Sequence, residues 1–122
     1  MSDGAELMIV EDEPLIAMMI EQMADEIGWP VGGCLRSEAD AFVYLNSHKP
    51  ALAVLDINLG LTTSLGIAAA CHDRKIPVVF TTGYTAADVP SQCGNAPVLA
   101  KPFSTEDLAW AIKRGLQQHA HA

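Results

Sequence analysis

Acidic, hydroxyl and amino side chains stand at the ends of four short apolar runs in this sequence. Glu11 and Asp12 follow the first run, and Asp56, Thr82 and Lys101 end later ones. If the runs are neighbouring strands, three carboxylates meet, and like unit charges about 4 Å apart repel by roughly 4 kcal/mol at an effective dielectric near 20. Such a group needs a cation. Hard oxygen ligands favour Mg²⁺, which commonly bridges carboxylates to a phosphate.

Asp56 is the candidate nucleophile of this group, because it emerges from an apolar strand between the other polar residues. A carboxylate can accept a phosphoryl group covalently while a metal ion and an ammonium stabilise the charge on the equatorial oxygens. Lys101 would supply that ammonium, and Thr82 would donate a hydrogen bond to one of the oxygens. The residue types therefore predict phosphoryl transfer to Asp56.

Five apolar runs of strand length, bounded by turn residues, would position these side chains. Most of the runs are compact and nearly unbroken, which is typical of parallel strands covered on both faces. They comprise residues 7–10, 31–35, 52–55, 78–81 and 98–100.

Helical patterns lie between the runs. The first helix should begin at Pro14, a favoured first-turn residue, and end before Gly28. Proline and glycine residues in 86–97 leave room there for only a short or frayed helix. The predicted buried stripe of the first helix consists of Ile16, Met19, Ile20, Met23 and Ile27.

Serine residues mark the starts of the other predicted helices. Residues 37–46 and 64–73 each begin with a serine that can cap a helix. Ser104 with Asp107 three residues later approximates a capping box, in which the shorter Asp replaces the usual Glu. The last helix should therefore start next to Ser104.

Strands alternating with helices imply right-handed crossovers and an α/β fold. We predict a doubly wound, five-stranded parallel sheet in a flavodoxin-like three-layer sandwich, and take the order 2-1-3-4-5 from known sheets of this kind. In that arrangement ligands bind beyond the carboxyl ends of the strands, between the first and third strands. This is the edge at which the acidic residues and Lys101 stand.

Length, composition and charge further restrict the possible locations and partners. With 122 residues and 50% hydrophobic composition, residues 1–122 are predicted to form one domain. No apolar run approaches the roughly 20 residues needed to span a bilayer, and we expect a cytoplasmic protein without a membrane partner. A formal net charge of −8 argues against nucleic acid as a partner. Three widely spaced cysteines are expected to be reduced and mostly buried.

Four separated motifs, "VEDEP", "VLDINLG", "FTTGY" and "AKPF", occur in this order at predicted strand ends. With them the chain resembles the receiver domain of bacterial two-component response regulators over essentially its whole length. The resemblance implies that Asp56 takes phosphate from a histidine kinase or a histidine phosphotransfer protein. It also implies that Asp12, Asp56 and the backbone carbonyl of Asn58 bind Mg²⁺, that Glu11 helps through water, and that Lys101 pairs with the phosphoryl group.

The switch residues depart from the pattern of the family. Receivers often carry Tyr or Phe three residues before the motif lysine, where this chain has Val98. The resemblance implies that Thr82 swings toward phosphorylated Asp56. "FTTGY" resembles the Phe-Ala-Thr-Gly-Tyr stretch of a subset of stand-alone receivers associated with HWE-class histidine kinases. We therefore expect Tyr84 to take over part of the switching.

The expected output is binding rather than turnover. The chain stops soon after the last predicted helix, so we expect a stand-alone receiver without an output domain. Either an unidentified downstream protein binds the phosphorylated form, or the chain acts as a phosphate sink for a kinase. Self-dephosphorylation would be slow, and the chain is not classed as an enzyme.

Other classes fit the residues less well. An aspartate-nucleophile phosphatase of the haloacid dehalogenase type needs a second acid where Asn58 stands. A flavodoxin-like flavin binder should have a Ser, Thr and Gly-rich phosphate loop, where this chain has "EDEP". A degenerate receiver that signals without phosphate should lack an acid or the lysine, and all are present.

Overall fold

The computed structural model describes residues 5–83 and 89–120, and its elements follow the predicted alternation closely. The helices are α1 (Pro14–Glu26), α2 (Glu38–Leu45), α3 (Leu65–Asp73) and α4 (Thr105–Ala120). The main strands are β1 (Leu7–Val10), β2 (Val31–Leu35), β3 (Leu52–Asp56), β6 (Val78–Thr82) and β7 (Val98–Ala100). Two short strands, β4 (Asn58–Leu59) and β5 (Thr62–Thr63), lie between β3 and α3.

The five main strands form one parallel sheet of order β2-β1-β3-β6-β7. Counting only these strands, the order is 2-1-3-4-5, so the predicted doubly wound fold is confirmed. The central strands β1 and β3 are buried along their whole length. The two acidic strand ends therefore lie side by side, because β1 and β3 are neighbours in the sheet.

The sheet separates two hydrophobic clusters. Residues that alternate along each strand face opposite sides, as the two-residue period of a strand requires. Ile9 and Val54 pack against α1 and α4, whereas Val10 and Leu55 pack against α2 and α3. The last helix contributes Leu108, Ala111 and Ile112 to its side of the core. Met19 was predicted to be buried but is 46% exposed, because the buried face of α1 is centred on Ala17, Ile20 and Ala24.

Two of the three predicted serine caps make their bonds. The Ser37 hydroxyl accepts a hydrogen bond from the Asp40 N–H at 3.1 Å. Ser104 and Asp107 form the predicted capping box, each backbone N–H donating to the other side chain at 3.0 Å. Ser64 precedes α3 as predicted, but its hydroxyl is buried and has no hydrogen-bond partner among the described residues. The position of α3 therefore does not depend on that side chain.

A hairpin after β3 was not predicted. Its strands pair antiparallel, with Asn58 opposite Thr63 and Leu59 opposite Thr62. The two-residue turn between them starts at Gly60, whose φ of 74° suits glycine. The glycine in "NLGLTT" was the available signal, since Gly at the first turn position is typical of a type II′ hairpin. A Cβ at Gly60 would lie 3.5 Å from Asp12 Oδ2, so the turn approaches the acidic edge.

The fourth connection contains only a short 3₁₀ helix, Ser91–Cys93, within its described part. Residues 84–88 lie outside the described residues. Tyr84 is one of them, so its proposed switching role stays a prediction. Cys71 and Cys93 are buried and Cys34 is partly buried, and none of the three is in a disulfide. None of the helices in the described part of the chain has the length and apolar character to span a bilayer.

Candidate functional site

The carboxyl ends of four neighbouring strands bring the predicted site residues to one edge of the sheet. Glu11 follows β1, Asp56 ends β3, Thr82 ends β6 and Lys101 follows β7. Glu11, Asp56 and Thr82 are 0%, 6% and 2% exposed. Asp12 is partly buried beside them, whereas Glu13 is exposed. The third acid of the opening motif is therefore not part of the site.

Lys101 connects two of the acids. Its ammonium donates one hydrogen bond to Glu11 Oε1 at 2.8 Å and another to Asp56 Oδ2 at 2.9 Å. The side chain of Lys101 is 16% exposed, and those of Glu11 and Asp56 are 0% and 7% exposed. Little water reaches these contacts, so each ion pair is screened less than a surface pair.

Backbone N–H groups hold the other oxygens of the same two carboxylates. The Glu13 N–H donates to Glu11 Oε2 at 3.1 Å, and the Asn58 N–H donates to Asp56 Oδ1 at 3.3 Å. Each carboxylate therefore has one oxygen on the ammonium and one on the backbone. These hydrogen bonds fix the orientation of both carboxylates before any ligand binds. Such preorganisation stabilises the charge that develops during group transfer.

Burial changes the proton affinity of the site. Desolvation, the largest effect, raises the pKa of Glu11 to about 7, although the hydrogen bond from Lys101 lowers it in part. Burial alone would lower the pKa of Lys101, but its hydrogen bonds to Glu11 and Asp56 outweigh this effect and raise it. Lys101 is therefore a stable cation at neutral pH.

Glu11, Asp12 and Asp56 form a compact group that we call the acidic cluster. Each offers a carboxylate oxygen, and these oxygens lie within 4.8 Å of one another. Three carboxylates face one ammonium, so the cluster has more negative charge than Lys101 can neutralise. Hard oxygen donors at this spacing fit a Mg²⁺ ion, which takes one or two carboxylates and keeps several waters.

The structure thus brings together Glu11, Asp12, Asp56 and Lys101, all of which the sequence singled out. It also places the Asn58 backbone at the start of β4, two residues after Asp56. Sequence reasoning did not identify Thr81, whose backbone is paired with Asp56. The doubled threonine in "FTTGY" was the available signal, but only the sheet register shows which threonine lies beside Asp56.

Comparison with known proteins agrees with this geometry. A family model described as the response regulator receiver domain matches residues 7–113. The phyllosphere-induced regulator PhyR of Methylorubrum extorquens is 33% identical over 118 residues, which cover 93% of this chain and 44% of PhyR. The transcriptional regulatory protein PdtaR of Mycobacterium tuberculosis is 30% identical over 111 residues, 88% of this chain and 54% of PdtaR. The chain spans about half the length of these curated relatives.

Solved structures show the same relationship. The solution structure of SdrG from Sphingomonas melonis Fr1 superposes with a TM-score of 0.84 at 37% identity, and covers 95% of this chain and 99% of SdrG. The crystal structure of the response regulator PhyR from Brucella abortus has a TM-score of 0.81 at 31% identity, over 95% of this chain and 49% of PhyR.

Proposed function

The chain belongs to the response regulator receiver domain family, and from this premise we propose that it accepts a phosphoryl group on Asp56. The donor is a phosphohistidine of a histidine kinase or a phosphotransfer protein. The phosphorylated form then signals by binding a downstream protein. The chain is a signalling domain, and slow hydrolysis of the aspartyl phosphate resets it.

One observation carries the assignment of Asp56. Its carboxylate ends the central strand β3, contacts the Lys101 ammonium at 2.9 Å, and belongs to the acidic cluster. It is 6% exposed, so a reacting oxygen can reach a docked donor while most of the side chain stays dry. Glu11 is fully buried, and the two carboxylates that the ammonium contacts are those of Glu11 and Asp56. Asp56 therefore combines access with a cation partner.

The proposed step is an in-line displacement at phosphorus. A carboxylate oxygen of Asp56 forms the new P–O bond as the P–N bond of the donor phosphohistidine breaks. The electron pair of that bond stays on the imidazole nitrogen, and the donor leaves as neutral histidine because its other ring nitrogen already carries a proton. Lys101 stabilises the negative charge of the transferred group, and Thr82 donates a hydrogen bond to one of its oxygens.

Asp12, Asp56 and the Asn58 backbone carbonyl would hold Mg²⁺ at this site, and Glu11 would help through water. When bound, the ion neutralises charge on the phosphoryl oxygens and lets two anions approach. The acidic cluster supports this assignment, because its three carboxylates exceed the charge of its single ammonium partner. Asn58 itself would contribute backbone only.

The family assignment favours this function over the flavin binder and the phosphatase that the sequence left open. A degenerate receiver should lack one of the acids or the lysine, but here the three acids and Lys101 are all assembled at one edge. A PhyR of known structure is described as a stress response regulator. We extend a role in stress signalling, and a cytosolic location, to this chain as part of the proposal.

The test is intact mass spectrometry after incubation with Mg²⁺ and acetyl phosphate. The wild-type chain should gain one phosphate, and Asp56→Asn should gain none. Asp73→Asn is the matched control, because it removes an exposed aspartate at the far end of α3. Equal labelling of wild type and Asp56→Asn would place the phosphate elsewhere and overturn the assignment.

A further inference from the structure

Thr81 carries a hydroxyl that nothing in the proposed chemistry uses. The residue is 0% exposed, and its Oγ1 has no hydrogen-bond partner within the described ranges 5–83 and 89–120. A buried polar group without a partner destabilises the folded state, so most such groups in folded proteins are paired. The unpaired hydroxyl therefore needs an explanation.

The register of the sheet places Thr81 beside the phosphoacceptor. Asp56 and Thr81 are direct partners in the pairing of β3 with β6. Thr81 stands two residues after Val79 and Asp56 two residues after Val54, and both of these valines belong to the cluster under α1 and α4. Since side chains alternate along a strand, Thr81 and Asp56 face the same side of the sheet.

Lys101 reaches across the strand that carries Thr81. Its backbone follows β7 and donates to the Thr82 carbonyl at 2.8 Å, but its ammonium lies against Asp56 on β3. In the sheet order, β6 lies between β7 and β3. Lys101 also stands two residues after Leu99. Leu99 pairs with Thr81 in the sheet and belongs to the cluster under α1 and α4. The side chain therefore spans the carboxyl end of β6 on the face where Thr81 lies.

The ammonium has hydrogen-bonding capacity to spare. Its bonds to Glu11 and Asp56 use two of its three N–H donors. A threonine hydroxyl has two lone pairs that can accept a third bond. In the present state Asp56 Oδ2 holds the ammonium, and that bond must change once the oxygen carries phosphorus.

We propose that Thr81 is a positioning residue for Lys101, whose ammonium donates to Thr81 Oγ1 when it moves from Asp56 to the transferred phosphoryl group. Glu11 holds the second N–H of the ammonium, and the phosphoryl group takes the third. The hydroxyl that is unpaired before transfer thus gains its partner in the phosphorylated state. This inference rests on the proposed function and adds a residue to it.

A purely structural role predicts something different. If the hydroxyl only fills space, replacing it with the methyl of valine should stabilise the protein and leave phosphorylation unchanged, because an unpaired buried polar group disappears. Valine has the same shape as threonine and favours strands, so Thr81→Val should fold. Thr81→Ala is a second hydroxyl-free variant, and Thr81→Ser restores the hydroxyl.

The experiment compares initial rates of phosphate gain from acetyl phosphate with Mg²⁺ in these variants. We expect Thr81→Val and Thr81→Ala to be about tenfold to 100-fold slower than wild type, the range expected for one lost hydrogen bond to a charged group. Thr81→Ser should stay within about twofold of wild type. Ser64→Ala is the matched control, since it removes another buried hydroxyl that lacks a partner among the residues described, and its rate should not change.

Melting temperatures distinguish a failure of the Thr81 proposal from a failure of the proposed phosphorylation of Asp56. With Mg²⁺ and beryllium fluoride as the phosphoryl mimic, the wild type should gain more in melting temperature than Thr81→Val. Equal phosphorylation rates and equal gains in melting temperature for wild type and Thr81→Val would overturn the role of Thr81 while leaving Asp56 as the acceptor. A wild type that gains neither phosphate nor thermal stability would overturn both proposals.

Discussion

Glu11 Oε1 lies 2.8 Å from the Lys101 ammonium, although 90 positions separate the two residues in the sequence. The glutamate is fully buried, and its other oxygen accepts the Glu13 N–H. The resemblance to receivers implied that Glu11 acts on Mg²⁺ through water. The structure adds a direct role, because Glu11 also anchors the ammonium that pairs with Asp56.

Replacing Glu11 with glutamine should change how stability depends on pH. The folded protein raises the pKa of Glu11 from 4.5 to about 7, so the folded state holds this proton more tightly than the unfolded state. The stability that this provides is present below about pH 4.5 and is lost as the pH rises through about 7. Between about pH 5 and about pH 8 without Mg²⁺, wild type should therefore lose up to about 3 kcal/mol relative to Glu11→Gln.

Urea unfolding of both proteins across this pH range measures the difference in free energy of unfolding. A difference that stays constant from acidic to alkaline pH would contradict the raised pKa of Glu11. A difference that grows in favour of wild type with rising pH would contradict its sign.

Lys101→Met should destabilise the metal-free protein by about 3 kcal/mol, because it leaves two buried carboxylates without their cation. Mg²⁺ should recover part of this loss by supplying positive charge to the acidic cluster. The measurement is urea unfolding with and without Mg²⁺. Lys113→Met, on the exposed side of α4, is the control and should have little effect under either condition. A stability change no larger than that of the control would show that the two ion pairs do not stabilise the fold.

Asp12→Asn should weaken Mg²⁺ binding by about tenfold or more, because the ion loses an anionic oxygen from its ligand set. Glu13→Gln removes an equal charge from the neighbouring position, but its side chain is exposed and outside the cluster. That control should bind Mg²⁺ within about twofold of wild type. Isothermal titration calorimetry measures both affinities. Equal weakening in the two variants would mean that net charge, rather than the acidic cluster, governs binding.

Two serines at helix starts should respond differently to the same substitution. Ser37→Ala should lower the free energy of unfolding by about 1 kcal/mol, because the Asp40 N–H loses its acceptor. Ser64→Ala should not lower it, since that hydroxyl caps nothing in the described part of the chain. Thermal or urea unfolding of the pair tests this. A comparable loss in Ser64→Ala would reveal a partner for its hydroxyl.

Local pattern predicted most of the architecture. Proline and serine starts and unbroken apolar runs are properties of short segments, so the bounds of α1, α2 and α4 follow from a few residues each. Met19 shows the limit of this reasoning. An apolar stripe predicts that a helix has a buried face, but the structure centres that face on Ala17, Ile20 and Ala24 and leaves Met19 half-exposed.

The candidate site was likewise predictable from the sequence only in part. Acids at the ends of β1 and β3 and a lysine after β7 can be found in the sequence, because ligand sites of doubly wound sheets lie beyond the carboxyl ends of their strands. The sequence does not reveal that one ammonium holds both Glu11 and Asp56, since that depends on a long side chain crossing β6.

The sequence by itself determined the alternation of strands and helices and the chemical groups at the sheet edge, whereas the predicted strand order came from known doubly wound folds. Periodicity, capping and the rule for crossover connections are local or general, and they need no coordinates. Only the tertiary structure decided which of two adjacent threonines lies beside Asp56, that Glu13 stays outside the site, and that a hairpin brings Gly60 to Asp12. Such placements depend on strand register and on packing across the whole sheet. A shift of one residue in the register would move every side chain of a strand to the other face.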